Sequence, residues 1–141
     1  MARIFEKILC PVDFDRNRGS AIKFACEFAE PFRSTIYLLH VLSVPRMEPI
    51  ALEPGPVFTQ AVAERELETL ARQNLASNVR YQVLVRSGEP AATIIAVANE
   101  LNADLIVMPT HGHTGIARMI LGSVAERVVR EATKPVVTIR P

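Results

Sequence analysis

The residues of this chain best spaced for chemistry lie between Met108 and Arg130, in the run MPTHGHTGIARMILGSVAERVVR. An apolar segment, Leu105-Ile106-Val107-Met108, stops at Pro109 and opens into Thr110-His111-Gly112-His113-Thr114-Gly115. Further on, Gly122-Ser123 begins an amphipathic helical pattern. A strand, a glycine-bearing loop and a helix N-terminus in that order make an anion cradle. The first N–H groups of a helix lack intrahelical acceptors, the helix dipole favours negative charge there, and glycine lets a phosphate approach the backbone. The loop is not a Walker A motif, because no Gly-Lys-Ser/Thr occurs in the chain. A second reading covers the same residues. Ser123-Val124-Ala125-Glu126 has the form of a capping box, which satisfies a helix start without any ligand. Spacing alone leaves both open.

Other reactive residue types carry less. His111 and His113 flank Gly112, but a metal centre needs a third ligand and an orienting shell, and no Cys or carboxylate adjoins them. Loop histidines that are solvated or touch phosphate fit better. Cys10 and Cys26 form no Cys-x-x-Cys and read as buried, reduced thiols. Asp13 and Asp15 suggest the acidic pocket of a phosphorylated receiver domain. That chemistry needs an aspartate ending the third strand and a lysine ending the last, where Arg86-Ser87 and Ile139-Arg140 stand. Phosphoryl transfer also needs a placed base or metal, and no nucleophile–base pair stands out, so the chain reads as non-enzymatic.

Nine elements must position the loop. Ile8 to Val12 and Thr35 to Leu42 are continuous apolar runs, as expected of strands covered on both faces. Between them Ile22, Ala25, Cys26 and Ala29 mark one helix face, with Asp15 or Asn17 as candidate caps and Pro31 as the expected end. Val44 to Pro56 holds four prolines and one glycine, a loop or lid that is long for a passive connector. Helical spacing resumes from Val57 to Ala76, with Ala63, Leu67, Leu70 and Leu75 facing inward. Val79 to Val85 alternates like a strand near the sheet's edge. Gly88-Glu89-Pro90 is a turn that starts a helix carrying Ile94, Val97, Ala98 and Leu101 on one face, broken at Asn102-Ala103. After the loop, Leu121, Val124, Ala125 and Val128 line the last helix, and Val136-Val137-Thr138-Ile139 makes the closing strand.

The alternation βαβαβαβαβ calls for an α/β fold, an open five-stranded parallel sheet with helices on both faces. Ligands in such sheets sit beyond the carboxyl ends of the strands, where strand order reverses. If the first and fourth strands are neighbours there, Asp13 faces the glycine loop across one crevice. At 141 residues the chain (1–141) is expected to be one domain. A net charge of +1 gives no field to attract nucleic acid or anionic lipid. With no long apolar run and no signal-peptide core, a soluble cytoplasmic protein without membrane partners is expected.

On these residues the chain resembles the universal stress proteins over its whole length. The resemblance rests on Pro11-Val12-Asp13 closing the first strand and His40-Val41 in the second. It rests further on Gly112, nine residues, then Gly122-Ser123, and on the run from Val124 to Lys134-Pro135-Val136. It implies a flavodoxin-like or adenine-nucleotide-hydrolase-like sheet with strand order 3-2-1-4-5. ATP-binding members carry glycine, two residues, glycine, nine residues, glycine, then serine or threonine. Gly112, Gly122 and Ser123 match the last three landmarks, whereas Pro109 stands at the first. Proline has no N–H and a fixed φ, so one possible donor is lost and a ring is added at the pocket wall beside Met108.

The resemblance also implies roles. The Val41 backbone reads the adenine edge, and Pro11 and Val12 pack on the base. Asp13 accepts from ribose hydroxyls or, indirectly, holds Mg2+. Gly112, His113, Gly122, Ser123 and Val124 contact the phosphates. The expected function is regulatory binding of ATP or a related adenine nucleotide in a stress response, by a homodimer paired through Val136, Val137, Thr138 and Ile139. The alternative is a nucleotide-free dimer acting as an interaction module, its pocket spoiled by Pro109. A slow ATPase is a distant third.

Overall fold

Strands form where apolar residues run without interruption, and helices form where they recur on one face. The computed structural model describes residues 4–14, 19–43, 59–110 and 121–140. Its elements are β1 (Lys7–Pro11), α1 (Ser20–Phe32), β2 (Thr35–Ser43), α2 (Gln60–Asn74), β3 (Arg80–Gly88), α3 (Pro90–Leu101), β4 (Leu105–Pro109), α4 (Ser123–Glu131) and β5 (Val136–Ile139). The strands form one parallel sheet in the order β3-β2-β1-β4-β5, the order implied by the resemblance. Side chains alternate between its faces. Ile8, Cys10, Ile36, Leu38 and Val107 pack under α1 and α2, while Leu9, Tyr37, Leu39, Ile106 and Met108 pack under α3 and α4. Two-sided burial explains why these strands read as unbroken apolar runs. Among the described residues no helix is long and apolar enough to cross a membrane.

Helix ends depart from the sequence reading in informative ways. Pro31 does not stop α1, which runs through it to Phe32. In the last turn a proline removes only the bond to the Glu27 carbonyl, while Ala25, Cys26 and Ala29 hold the inner face against the core. Arg33 ends the helix instead, in the left-handed region at φ 53°, with the Ser34 N–H returning to the Ala29 carbonyl at 3.1 Å. Asn102 closes α3 in the same way at φ 52°. The helix over 57–76 narrows to Gln60–Asn74, capped by the Thr59 hydroxyl, which accepts from the Val62 N–H at 3.3 Å. Gly19, not Asp15 or Asn17, is the N-cap residue of α1, because the helix starts only at Ser20. The proline-rich segment 44–56 lies outside the described residues.

The register at the centre of the sheet positions the site. β1 pairs with β2 from Lys7↔Thr35 to Pro11↔Leu39, but with β4 only at Ile8↔Leu105 and Leu9↔Ile106. Two prolines account for the early separation. The Val12 N–H bonds to Leu39 O at 2.7 Å on the β2 side, so alternation turns the Pro11 nitrogen toward β4. The Thr110 N–H bonds to Ile139 O at 2.9 Å on the β5 side, so the Pro109 nitrogen turns toward β1. Neither carries a hydrogen. The next rungs of the β1–β4 ladder therefore cannot form, and the strands part where strand order reverses.

Candidate functional site

The parted strands open a cleft of about 140 Å³ at the carboxyl end of the sheet. Pro11, Val12 and Asp13 form one side, and Met108 and Pro109 the opposite side. Leu39, His40, Val41 and Ser43 extend it along β2; Pro90 and Ile94 of α3 and Val124 and Ala125 of α4 close it on one face. Seven expected site residues thus line one cleft: Pro11, Val12, Asp13, Val41, Met108, Pro109 and Val124. Gly122 and Ser123 stand at the start of α4. Gly112 and His113, with His111, lie outside the described residues.

Backbone polarity in the cleft follows from the ladder. β2 continues past Leu39, the last residue that β1 accompanies, and pairs with β3 as far as Ser43↔Gly88. Since Leu39 presents its carbonyl to β1, alternation turns the N–H and C=O of Val41 to the same side, where β1 has already left. One donor and one acceptor therefore stand side by side at the cleft edge. Across from them, Pro109 contributes an acceptor and no donor. Asp13 is the one carboxylate among the described cleft-lining residues, and its side chain is exposed.

The turn carrying Asp13 is held on both sides. Val12 is tied to β2 through Leu39 O, and its own carbonyl accepts from His40 Nδ1 at 2.8 Å. The His40 ring stacks on Phe14 with centroids 4.1 Å apart and planes 23° from parallel. Sequence reasoning used His40 only as a landmark. A lone histidine inside an otherwise apolar strand was the signal available.

The start of α4 differs from the capping box. Gly122, not Ser123, is the N-cap residue, with φ −67° and ψ 163°, and as a glycine it brings no side chain to cap the helix. The one-residue shift makes Ser123 the first helical residue, and Glu126 pairs with Arg130 at 2.8 Å instead of turning back. The Gly122 N–H is engaged, donating to Thr110 O at 2.6 Å across the neck of the loop. The helix-start donors without intrahelical acceptors are those of Ser123, Val124 and Ala125, and the last two belong to cleft-lining residues. This arrangement favours an anion over a self-satisfied cap.

Pro90 and Ile94 reached the site without being anticipated, because α3 also begins at the carboxyl end of the sheet. Glu89 fixes that start. Its carboxylate accepts from the N–H groups of Ala92 at 2.8 Å and Ala91 at 3.2 Å and binds Arg127 of α4 at 2.7 Å. Those backbone bonds first, and the guanidinium after them, hold the Glu89 carboxyl below the usual carboxylate range. The two helices bordering the cleft are thereby braced together. Cys10, fully buried, has its thiol pushed up to about 12 by loss of solvation and is no nucleophile. Cys26 is also buried and unpaired. Among the described residues no three His, Cys, Asp or Glu side chains converge on a metal position.

Comparisons with known proteins agree with this architecture. The model of the universal stress protein family matches residues 4–140. Universal stress protein MJ0531 of Methanocaldococcus jannaschii is 32% identical, the match covering 97% of this chain and 83% of that protein. Protein MJ0577 of the same organism superposes with a TM-score of 0.77 at 24% identity, over 98% of this chain and 97% of that one. The universal stress protein of Archaeoglobus fulgidus solved in complex with dAMP gives a TM-score of 0.61 at 26% identity, covering 96% of this chain and 98% of that one. Matched along nearly its whole length, this chain belongs to the universal stress protein family.

Proposed function

We propose that this universal stress protein binds ATP or a related adenine nucleotide as a regulatory ligand in a stress response, without catalysing a reaction on it. The carrying observation is the cleft opened by the Pro11–Pro109 separation, with the Val41 backbone edge, the Asp13 carboxylate and the α4 N-terminus arranged around it. Its volume of about 140 Å³ suits one flat ring system rather than a whole nucleotide. The base packs against Pro11, Val12 and Met108 and is read by Val41. The ribose reaches Asp13. The phosphates run toward Ser123 and Val124 and the loop residues Gly112 and His113. Gly122 serves as the neck of that loop rather than as a direct donor. The dAMP complex of a relative 26% identical supports the ligand class.

Mg2+ would arrive with the phosphates. Magnesium is commonly held by one or two carboxylates together with phosphate oxygens and waters, which suits a cleft bearing the Asp13 carboxylate. We read residues 1–141 as one cytoplasmic domain that forms a homodimer through Val136, Val137, Thr138 and Ile139. All four remain partly exposed in the single chain, and an uncovered parallel edge is otherwise an aggregation liability.

A second reading has its own observation. Pro109 lacks an N–H and that of Gly122 is bonded to Thr110, so two backbone donors expected from the motif are absent. On that reading the protein is a nucleotide-free dimeric interaction module. Isothermal titration with Mg-ATP separates the two: micromolar binding is expected for the first, and no heat at millimolar ligand would leave only the second. Native mass spectrometry of freshly purified protein would find a co-purifying adenine nucleotide under the first. Sedimentation as a monomer at tens of micromolar would dispose of the dimer.

A further inference from the structure

We infer that His40 is a positioning residue for Asp13 and that it sets the preference for a ribose hydroxyl over a deoxygenated sugar; this rests on the nucleotide reading. Asp13 follows the last rung of β1, on a turn whose central partner β4 has already diverged. An exposed carboxylate on such a turn would sample many positions, and a diol is recognised only by an acceptor held in place. Three contacts hold this one. The Val12 N–H is bonded to Leu39 O at 2.7 Å, the Val12 carbonyl accepts from His40 Nδ1 at 2.8 Å, and Phe14 lies stacked on the His40 ring at 4.1 Å. Asp13 is the residue between the two anchored ones. His40 makes two of the three contacts with one rigid ring.

A carbonyl oxygen only accepts, so the His40 proton resides on Nδ1. The ring keeps that donor whether neutral or protonated, and the clamp needs no change of charge to act. The side chain need not touch the ligand. It acts by limiting where the Asp13 carboxylate can stand, so its loss should appear in sugar discrimination rather than in adenine recognition by Val41.

The test compares ATP with 2′,3′-dideoxy-ATP by titration calorimetry. The wild type is expected to favour ATP by about tenfold, as loss of hydrogen bonds to a charged acceptor implies. His40→Phe keeps an aromatic face against Phe14 but lacks the donor, and should bring the two ligands to within about twofold of each other. His40→Asn returns a donor near the Nδ1 position and should recover most of the preference, while His40→Gln, with its donor displaced, should not. Should His40→Phe fold poorly, the Asn and Gln pair carries the comparison. In an Asp13→Asn background, His40→Gln should change nothing further. An undiminished preference for ATP in His40→Phe and His40→Gln overturns the inference. A wild type that binds neither ligand overturns the nucleotide reading beneath it. A ligand-free arm judges the clamp itself: amide exchange at Val12 and Asp13 should accelerate in His40→Gln, and unchanged exchange rejects it.

Discussion

The two ends of the sheet are built from the same strands and treated in opposite ways. At the amino end the strands are stitched together. The Asp104 carboxylate accepts from the N–H groups of Glu6 and Lys7 at 2.9 and 3.0 Å, and Lys7 Nζ donates to Leu101 O at 3.1 Å. The buried Ser34 hydroxyl donates to Phe5 O, and Arg80 donates to Arg33 O at 3.2 Å. At the carboxyl end the central rungs stop early and two prolines face a gap. The amino rim closes the backbone's hydrogen-bonding capacity; at the carboxyl rim, among the described residues, the β1–β4 ladder stops short of the strand ends. Groups already satisfied by the protein confer stability, and groups left unsatisfied beside a cleft are available to a ligand.

Substitutions on the two rims should therefore separate stability from binding. Asp104→Ala removes a charged acceptor from two backbone donors at once. A loss of about 3 kcal/mol in urea denaturation is expected, with Mg-ATP affinity unchanged in the folded fraction. A large affinity loss there would mean that the rims are coupled and the contrast false. Asp13→Asn is the converse. The exposed side chain should leave the urea midpoint nearly unmoved while weakening ATP binding by about 1.4 kcal/mol, roughly tenfold. Equal affinity would take the ribose contact out of the site.

The contrast between the rims also explains what the sequence disclosed. Buried strands announce themselves, because two-sided covering leaves only apolar residues from Ile8 to Cys10, from Ile36 to Leu39 and from Leu105 to Met108. Helix faces followed for the same reason, through Ala63 and Leu67 or Ile94 and Val97. The cleft was half legible. Asp13 and Pro109 were found because the ends of the first and fourth strands converge at a switch point whatever their spacing in the chain, and Val41 through the family resemblance. Pro90, Ile94 and Ala125 were not, since they reach the site through helix packing, and their residue types are those of any core. Hydrogen bonds that depend on a one-residue register escaped entirely. Nothing in Gly122-Ser123 tells which of the two is the cap, and nothing in Glu89 announces a carboxylate serving two helices.

That carboxylate offers a smaller test of how firmly the open rim is framed. Glu89 caps α3 and holds Arg127, so Glu89→Ala should cost about 1 kcal/mol, the usual value of a lost cap. Because the folded-state pKa is depressed, its contribution is fully present above the unfolded carboxylate value. It fades as pH falls through the lower folded value. The mutant's stability should accordingly fall less steeply than that of the wild type below pH 4.5. Parallel pH profiles from thermal melts would show that the brace carries no pH-dependent stability.

The smallest expected effect addresses the cleft wall itself. Pro109 takes its place in the sheet at no cost to the β4–β5 ladder, because its nitrogen faces the gap and the neighbouring Thr110 N–H makes the bond to Ile139. Its residue has no positive φ, so the position does not demand glycine. What proline removes there is a donor facing the gap rather than a backbone freedom. Pro109→Ala should then restore the donor and strengthen ATP binding by about 0.5–1 kcal/mol, roughly two- to fivefold. Pro109→Gly should gain no more than alanine, since its extra freedom must be ordered on binding. A gain with glycine alone would make conformation the missing quantity. No gain with either would mean that the restored N–H closes onto the Pro11 carbonyl, the rung that proline had blocked, or that the gap between the prolines does not face the phosphates or the ribose.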